Sequence, residues 1–336
     1  MKGKLNMIDD LNEMLKEKYN SQKPGISVIG IKSGDIVYNE QFGLANMEYE
    51  IPITEDTVFS IASITKQFTG MGIMILQERN LLEYDEKLTE FFPKLYNYKG
   101  VTIRHLLNNC SGIENYYSII DRLGISAVNI DNKKVYEILL KEEGLLFKPG
   151  SKFDYSNSNW VLLAMIIERV SGVSYDKFMQ ENIFNVIGMK NSIVFTEKQP
   201  IVKNRAYGYG IKNEYIYCDY VEALTVGDGG ILTTIGDLYK WDQALYTNRL
   251  VSKESVTLSF TNGSTEGEEK YGFGWSIGED ELGNIKVWHT GFDAGFRSVI
   301  TRYVDDKFTV VILSNSSQCS WEERKKITEN LYCNYI

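Results

Sequence analysis

The sequence predicts an α+β fold in which an antiparallel sheet is flanked by terminal helices and interrupted by a mostly α-helical insertion. Three observations carry that prediction: strand patterns lie near both ends of the chain, helical patterns fill the middle, and a helical pattern brackets each end. Ile8, Leu11, Leu15 and Tyr19 recur at three- and four-residue steps, which predicts an amphipathic N-terminal helix. Two apolar runs follow, Ile26 to Ile31 and Ile36 to Glu40, separated by the tight turn Lys32-Ser33-Gly34-Asp35 of a β-hairpin. Toward the C-terminus, strands are expected at Tyr271 to Ile277, Ile285 to His289, Phe296 to Tyr303 and Phe308 to Leu313, and a closing helix at Glu322 to Tyr332. Residues 1–80 and 223–336 are therefore expected to form one discontinuous sheet domain, with 81–222 as the helical insertion.

With 336 residues and 43% hydrophobic content, the chain can bury a large core, and at this size two lobes are expected. No internal repeat, low-complexity run or long linker divides it. A net charge of −9 without a dense basic cluster argues against a nucleic-acid partner. The four cysteines form no CxxC pair and only two histidines are present, so reduced thiols, no metal and no cofactor are expected. The first residues lack an apolar signal region, and no stretch approaches the ~18 apolar residues of a membrane helix. As written, the chain is expected to be cytoplasmic, or exported if a leader has been trimmed.

The chemistry begins at Ser63-Ile64-Thr65-Lys66, which opens an apolar helical pattern of Ile64, Phe68, Met71, Ile75 and Leu76. Residues three apart on a helix are neighbours, roughly 5–6 Å between Cβ atoms, so a proton can pass between Ser63 and Lys66. A serine hydroxyl is a weak nucleophile until a base takes its proton, and lysine is a base only when neutral. Burial under an apolar helix disfavours the ammonium and lowers its pKa from the usual value of about 10.4. The plainer alternative is that Ser63 caps the helix and Lys66 is solvated. Ser174-Tyr175-Asp176-Lys177 repeats the pattern, and there Ser174 reads as an N-cap and Lys177 as solvated.

Two further segments accompany the first copy. Lys148 to Asn157 is turn-rich and runs into the apolar helix Trp160 to Ile167, which places Tyr155 and Asn157 on the preceding loop. A phenol can relay a proton, and an amide can both hold a lysine and donate to a substrate carbonyl. Tyr-x-Asn recurs at Tyr246 and Tyr332, and those copies read as surface matches. Trp288-His289-Thr290-Gly291 ends an alternating run and reads as a strand edge able to pair with an extended substrate, and the N–H of Phe292 could join that of Ser63 as an oxyanion hole. Gly274-Trp275-Ser276-Ile277-Gly278 fits the nucleophile elbow of α/β-hydrolases, but that device needs a helix after the turn, and this segment leads instead through Leu282-Gly283-Asn284 into a strand. His105, in Ile-Arg-His-Leu-Leu, reads as a packed structural residue.

Ser63/Lys66, Tyr155/Asn157 and His289/Thr290/Gly291, in that order, resemble the serine β-lactamase and penicillin-binding protein superfamily, in the branch of class C β-lactamases, DD-carboxypeptidases, esterases and D-aminopeptidases. The resemblance extends through Val101 to Leu107 with Ser111-Gly112-Ile113, Gly227 to Thr234 with Asp237-Leu238, and Tyr271 to Trp275, from about Pro24 to Asn315. It implies a β-lactamase/transpeptidase-like fold with its site between lobes and an acyl-enzyme mechanism. Ser63 would be the nucleophile, Lys66 and Tyr155 would share the proton transfers, Asn157 would orient lysine and substrate, and His289 and Thr290 would line the opposite strand. The implied function is a serine hydrolase acting on a β-lactam, D-alanyl peptide or ester. Carboxylesterase, D-aminopeptidase and a slowly deacylating β-lactam-binding sensor are the alternatives. Histidine at 289, where many β-lactamases of this branch carry lysine, looks more like the carboxypeptidases and esterases. Substrate choice is expected in Glu114-Asn115-Tyr116-Tyr117 and near Phe292 to Arg297, with Tyr116 as an aromatic wall and Arg297 as an anchor for a substrate carboxylate.

Overall fold

The computed structural model describes residues 2–219, 223–280 and 283–336. Helix α1 (Lys2–Lys18) leads into strands β1 (Ile26–Lys32) and β2 (Asp35–Phe42), followed by β3 (Leu44–Asn46), β4 (Ile51–Pro52) and β5 (Phe59–Ser60). A 3-10 turn at Ala62–Ile64 starts α2 (Thr65–Glu78). The middle of the chain holds α3 (Leu88–Phe91), α4 (Ile103–Leu107), α5 (Tyr116–Leu123), α6 (Asn132–Leu139), α7 (Asn157–Ser171), α8 (Tyr175–Met179) and α9 (Asn185–Ile187). It also carries β6 (Ile193–Val194) and the hairpin β7 (Tyr209–Lys212) and β8 (Tyr215–Cys218). Then come β9 (Ile231–Thr233), α10 (Ile235–Ala244), α11 (Lys253–Ser259), β10 (Lys270–Tyr271), β11 (Ser276–Glu279), β12 (Ile285–Asp293), β13 (Phe296–Tyr303), β14 (Phe308–Ser314) and α12 (Trp321–Tyr335).

Seven strands form one sheet in the order β10-β11-β12-β13-β14-β1-β2, antiparallel throughout. Its inner strands read as continuous apolar runs because both faces are covered. On one face Val28, Val299, Phe308, Val310 and Ile312 pack with Leu11, Leu15 and Tyr19 of the N-terminal segment and with Ile327 and Leu331 of α12. On the other, Ile29, Ile31, Ile300, Val311 and Leu313 join a larger core with α2, α7 and α10. That core runs without a break from the sheet into the helical middle. The short sheet β5-β9-β6 also ties the two parts together, since β6 comes from the 81–222 segment and its neighbours do not. Glu222, at the expected boundary, lies outside the described residues, as does Leu282 of the expected turn.

Two element expectations need correction. The strand expected at Tyr271 to Ile277 is broken into β10 and β11 by a turn in which the Gly272 N–H donates to the Trp275 carbonyl at 2.8 Å. Gly274 has φ +84 and passes so close to α2 that a Cβ there would lie 2.7 Å from the carbonyl carbon and oxygen of Lys66. Only glycine meets both demands. Second, neither repeat of Tyr-x-Asn is a bare surface feature: Tyr246 lies under the Arg302 guanidinium, and Tyr332 stacks on Tyr303 with ring centres 3.6 Å apart.

Candidate active site

The nucleophile candidate sits on the 3-10 turn rather than on α2 itself, and Lys66 occupies the first turn of that helix. Ala62, immediately before Ser63, is a non-glycine residue at φ +47, a strained conformation costing about 1–3 kcal/mol that the packed surroundings hold in place. Gly291 of β12 allows that turn to approach the sheet, since a Cβ there would collide with the Ile61 carbonyl oxygen. Lys66 is completely buried, and its Nζ lies 2.9 Å from Ser63 Oγ, 2.8 Å from Asn157 Oδ1 and 2.7 Å from the Asp228 backbone carbonyl oxygen. Burial lowers its pKa to about 7, against the opposing pull of the Asp228 carboxyl. Both carbonyl partners can only accept, so a neutral Lys66 gives its two N–H groups to them and is left with its lone pair facing the Ser63 hydroxyl. That is the geometry of a general base.

Tyr155 and Asn157 are presented where the loop enters α7, with Asn157 as the first residue of the helix rather than on the loop. Asn109 holds this entry: its Oδ1 accepts from Asn159 Nδ2 at 3.0 Å and Trp160 Nε1 at 3.2 Å. The Tyr155 ring lies 5.0 Å from Lys66 Nζ. Burial holds the phenol well above its ordinary pKa, and a hydrogen bond with Ser63 opposes this only in part. Tyr155 therefore stays protonated at neutral pH and can hand on a proton, while Lys66 is the group able to take one.

On the facing strand, His289 is buried and Thr290 lines the cleft. His289 Nδ1 lies 2.8 Å from the Thr290 carbonyl oxygen, which can only accept, so Nδ1 carries the proton and Nε2 accepts from the Tyr271 hydroxyl at 2.9 Å. Burial, with Lys66 nearby, lowers the His289 pKa to about 3. The imidazole is neutral. Strand β11 pairs with β12 only as far as Ser276 opposite Trp288, whereas β13 follows it to Phe296 opposite Asp293. Thr290 to Phe292 thus leave one edge unpaired by β11, at a cleft of about 760 Å³ lined by Ser63, Tyr155, Asn157, His289, Thr290 and Phe292 among others. Phe292 is 70% exposed, one residue beyond Gly291.

Two expected positions fall elsewhere. Arg297 is no free anchor: its guanidinium stacks 3.5 Å from the Phe292 ring centre, and Nη1 donates to the Ala294 and Phe296 carbonyls at 2.7 Å each. Tyr116 is buried and hydrogen-bonds Asp228 Oδ2 at 3.0 Å and Thr225 Oγ1 at 3.1 Å, so the aromatic wall on the cleft is its neighbour Tyr117. The rival motifs behave as expected. Ser174 precedes α8 as its N-cap, Lys177 pairs with Glu181 at 3.9 Å on the surface, and Ser276 opens β11, with no helix among the described residues between it and β12. His105 accepts from the Thr102 N–H in the capping box of α4. Sequence reasoning assigned no role to Asp228, Tyr271 or Arg205, which line the cleft together with Asp293 of the Phe292 to Arg297 stretch expected to govern substrate choice. The Asp228 signal was a lone carboxylate among glycines in Gly227-Asp228-Gly229-Gly230; Arg205 gave none.

A comparison with known families finds the family described as Beta-lactamase matching residues 7–330. The chain belongs to the β-lactamase family. This β-lactamase-family protein is 35% identical to penicillin-binding protein 4* of Bacillus subtilis (strain 168), over 93% of its own length and 72% of the relative's. It is 26% identical to a D-aminopeptidase of Gluconobacter oxydans (strain 621H), covering 87% of this chain and 56% of that one. Among solved structures, the octameric penicillin-binding protein homologue from Pyrococcus abyssi superposes with a TM-score of 0.81 at 32% identity, over 93% of this chain and 73% of that one. The α+β fold expected of the superfamily is the fold observed. Among the described residues no cluster of His, Cys, Asp and Glu could hold a metal ion, no helix is long and apolar enough to cross a membrane, and none of the four cysteines is in a disulfide.

Proposed function

We propose that this protein is a serine hydrolase of penicillin-binding-protein/β-lactamase type that forms an acyl-enzyme on Ser63 with a small amide or ester. The observation that carries the reading is the Lys66 amine, buried and 2.9 Å from the Ser63 hydroxyl, with its other two partners restricted to accepting. Lys66 takes the Ser63 proton as Oγ attacks the carbonyl carbon. The N–H groups of Ser63 and Phe292 receive the charge that develops on the carbonyl oxygen. Tyr155 passes a proton to the leaving group and is reprotonated from Lys66. Water then cleaves the acyl ester along the reverse path, and Asn157 keeps Lys66 in place throughout. Similarity to the D-aminopeptidase of Gluconobacter oxydans favours aminopeptidase action on the same serine as a second reading.

The test combines a chromogenic cephalosporin, a p-nitrophenyl ester and a D-alanyl peptide with intact-mass measurement. Turnover identifies a hydrolase, and a lasting adduct a binding sensor. Ser63→Ala is expected to abolish both turnover and labelling by a fluorescent penicillin, while Ser276→Ala and Ser174→Ala retain them. Labelling that survives in Ser63→Ala refutes the assignment.

A further inference from the structure

The two oxyanion donors of the Ser63 reading belong to different elements, the Ser63 N–H to the 3-10 turn and the Phe292 N–H to the end of β12. The distance between them is therefore set by tertiary contacts alone. The Ser63 side is pinned by β9: Ser60 pairs with Leu232, the Ile61 N–H donates to the Ile231 carbonyl at 3.2 Å, and Ala62 follows at φ +47. The Phe292 side has less support. Strand β11 covers β12 only as far as Trp288, and beyond that point β13 pairs with one edge while β11 leaves the other uncovered. Two side-chain hydrogen bonds cross the gap. Asp293, on the same face of β12 as His289 and Gly291, accepts from the Ser60 hydroxyl at Oδ2, at a distance of 3.0 Å. Ser298 Oγ of β13 donates to the Ser60 carbonyl at 3.4 Å. Asp293 directly follows Phe292 and Ser60 stands three residues before Ser63, so the first bond closes a short frame around the place where the substrate carbonyl oxygen would sit. Desolvation pushes the Asp293 carboxyl up to about 6, with the Ser60 hydroxyl working against the rise. In either protonation state an oxygen remains to accept from that hydroxyl.

We propose that the Ser60–Asp293 hydrogen bond is the strut that sets the spacing of the oxyanion hole, which makes Ser60 and Asp293 positioning residues for acylation. The inference rests on the Ser63 acyl-enzyme reading and adds to it two side chains that act through the backbone rather than on the reacting atoms. Donors serve a developing oxyanion only at about 2.7–3.1 Å, and a displacement on the order of 1 Å can cost about 10²-fold in rate. The strut needs the accepting oxygen of Asp293 and not its charge.

The test is stopped-flow acylation by an uncharged p-nitrophenyl ester, read as the rate constant at saturation and the half-saturating concentration. Ser60→Ala and Asp293→Ala are each expected to lower the rate constant about 10- to 100-fold and to change the half-saturating concentration less than about threefold, because the oxyanion forms only in the transition state. Asp293→Asn keeps an accepting oxygen and loses the charge, so its rate is expected to return to within about threefold of wild type. The double variant Ser60→Ala/Asp293→Ala is expected to lose no more than either alone, since both remove the same contact. Affinity for a boronic acid, which places a hydroxyl at the oxyanion position once bound to Ser63, is expected to fall in step with the rate. Wild-type rates in both alanine variants overturn the proposal, as does an Asp293→Asn as slow as Asp293→Ala, which would assign the role to the charge. A melting curve of each variant separates strut from scaffold, and acylation lost only in proportion to folded protein also overturns it. These outcomes leave the Ser63 reading intact, whereas a wild-type protein that forms no Ser63 adduct with any acyl donor sinks that reading and the strut with it.

Discussion

Lys66 shows how burial turns a lysine into the base proposed for Ser63. Its pKa of about 7 comes from burial, and its orientation comes from two carbonyls that leave the lone pair a single target. Because the proposed base works only as the neutral amine, acylation is expected to fall as pH drops through about 7 and to level off above it. Measured as kcat/KM for an uncharged ester, a profile flat from pH 5 to 9 would contradict the assignment. Lys66→Ala is expected to lower acylation by roughly 10²–10⁴-fold, the usual worth of a placed proton acceptor, and a wild-type rate would end the proton role. Tyr155→Phe keeps the ring and removes the proton, so stopped-flow measurement is expected to show a similar loss. Ser63 and Lys66 were legible in the sequence because an i, i+3 pair meets through local geometry alone. The Tyr271–His289 hydrogen bond was not, since it joins residues whose meeting depends on strand pairing.

At the scale of elements, the site depends on how closely the 3-10 turn lies against β12. Gly291→Ala puts a methyl group into the Ile61 carbonyl and must move the turn or the strand. The variant is expected to lose acylation and thermal stability together, as read by labelling with a fluorescent penicillin and by a melting curve. An active variant with an unchanged Tm would mean that the contact is not needed. Helices α2 and α7 were legible from their apolar periodicity, and the β1–β2 hairpin from its turn. The break at Gly272 to Trp275 was hidden because its cause, the backbone of Lys66 on another element, leaves no local mark beyond the glycines themselves.

Across the molecule, the sheet and its inner helical layer are joined by a buried ion pair. Asp242 of α10 accepts from Arg302 Nε of β13 at 2.8 Å and from Thr309 Oγ1 of β14 at 2.7 Å, with both charged side chains 1% exposed. Asp242→Ala strands the guanidinium in the core and is expected to cost about 3–5 kcal/mol in chemical denaturation. A loss below ~1 kcal/mol would show that water reaches the pair.

The amino-acid sequence by itself determined the main strand and helix patterns and the Ser63–Lys66 pair proposed as nucleophile and base, because those depend on spacing along the chain. Only the tertiary structure decided that Asp228 and Asp293 enter the cleft, that Tyr117 rather than Tyr116 forms its wall, and that Arg297 is bound to its own turn. Their surroundings are assembled from distant segments, and the charge, burial and partners of a side chain exist only once those segments have packed.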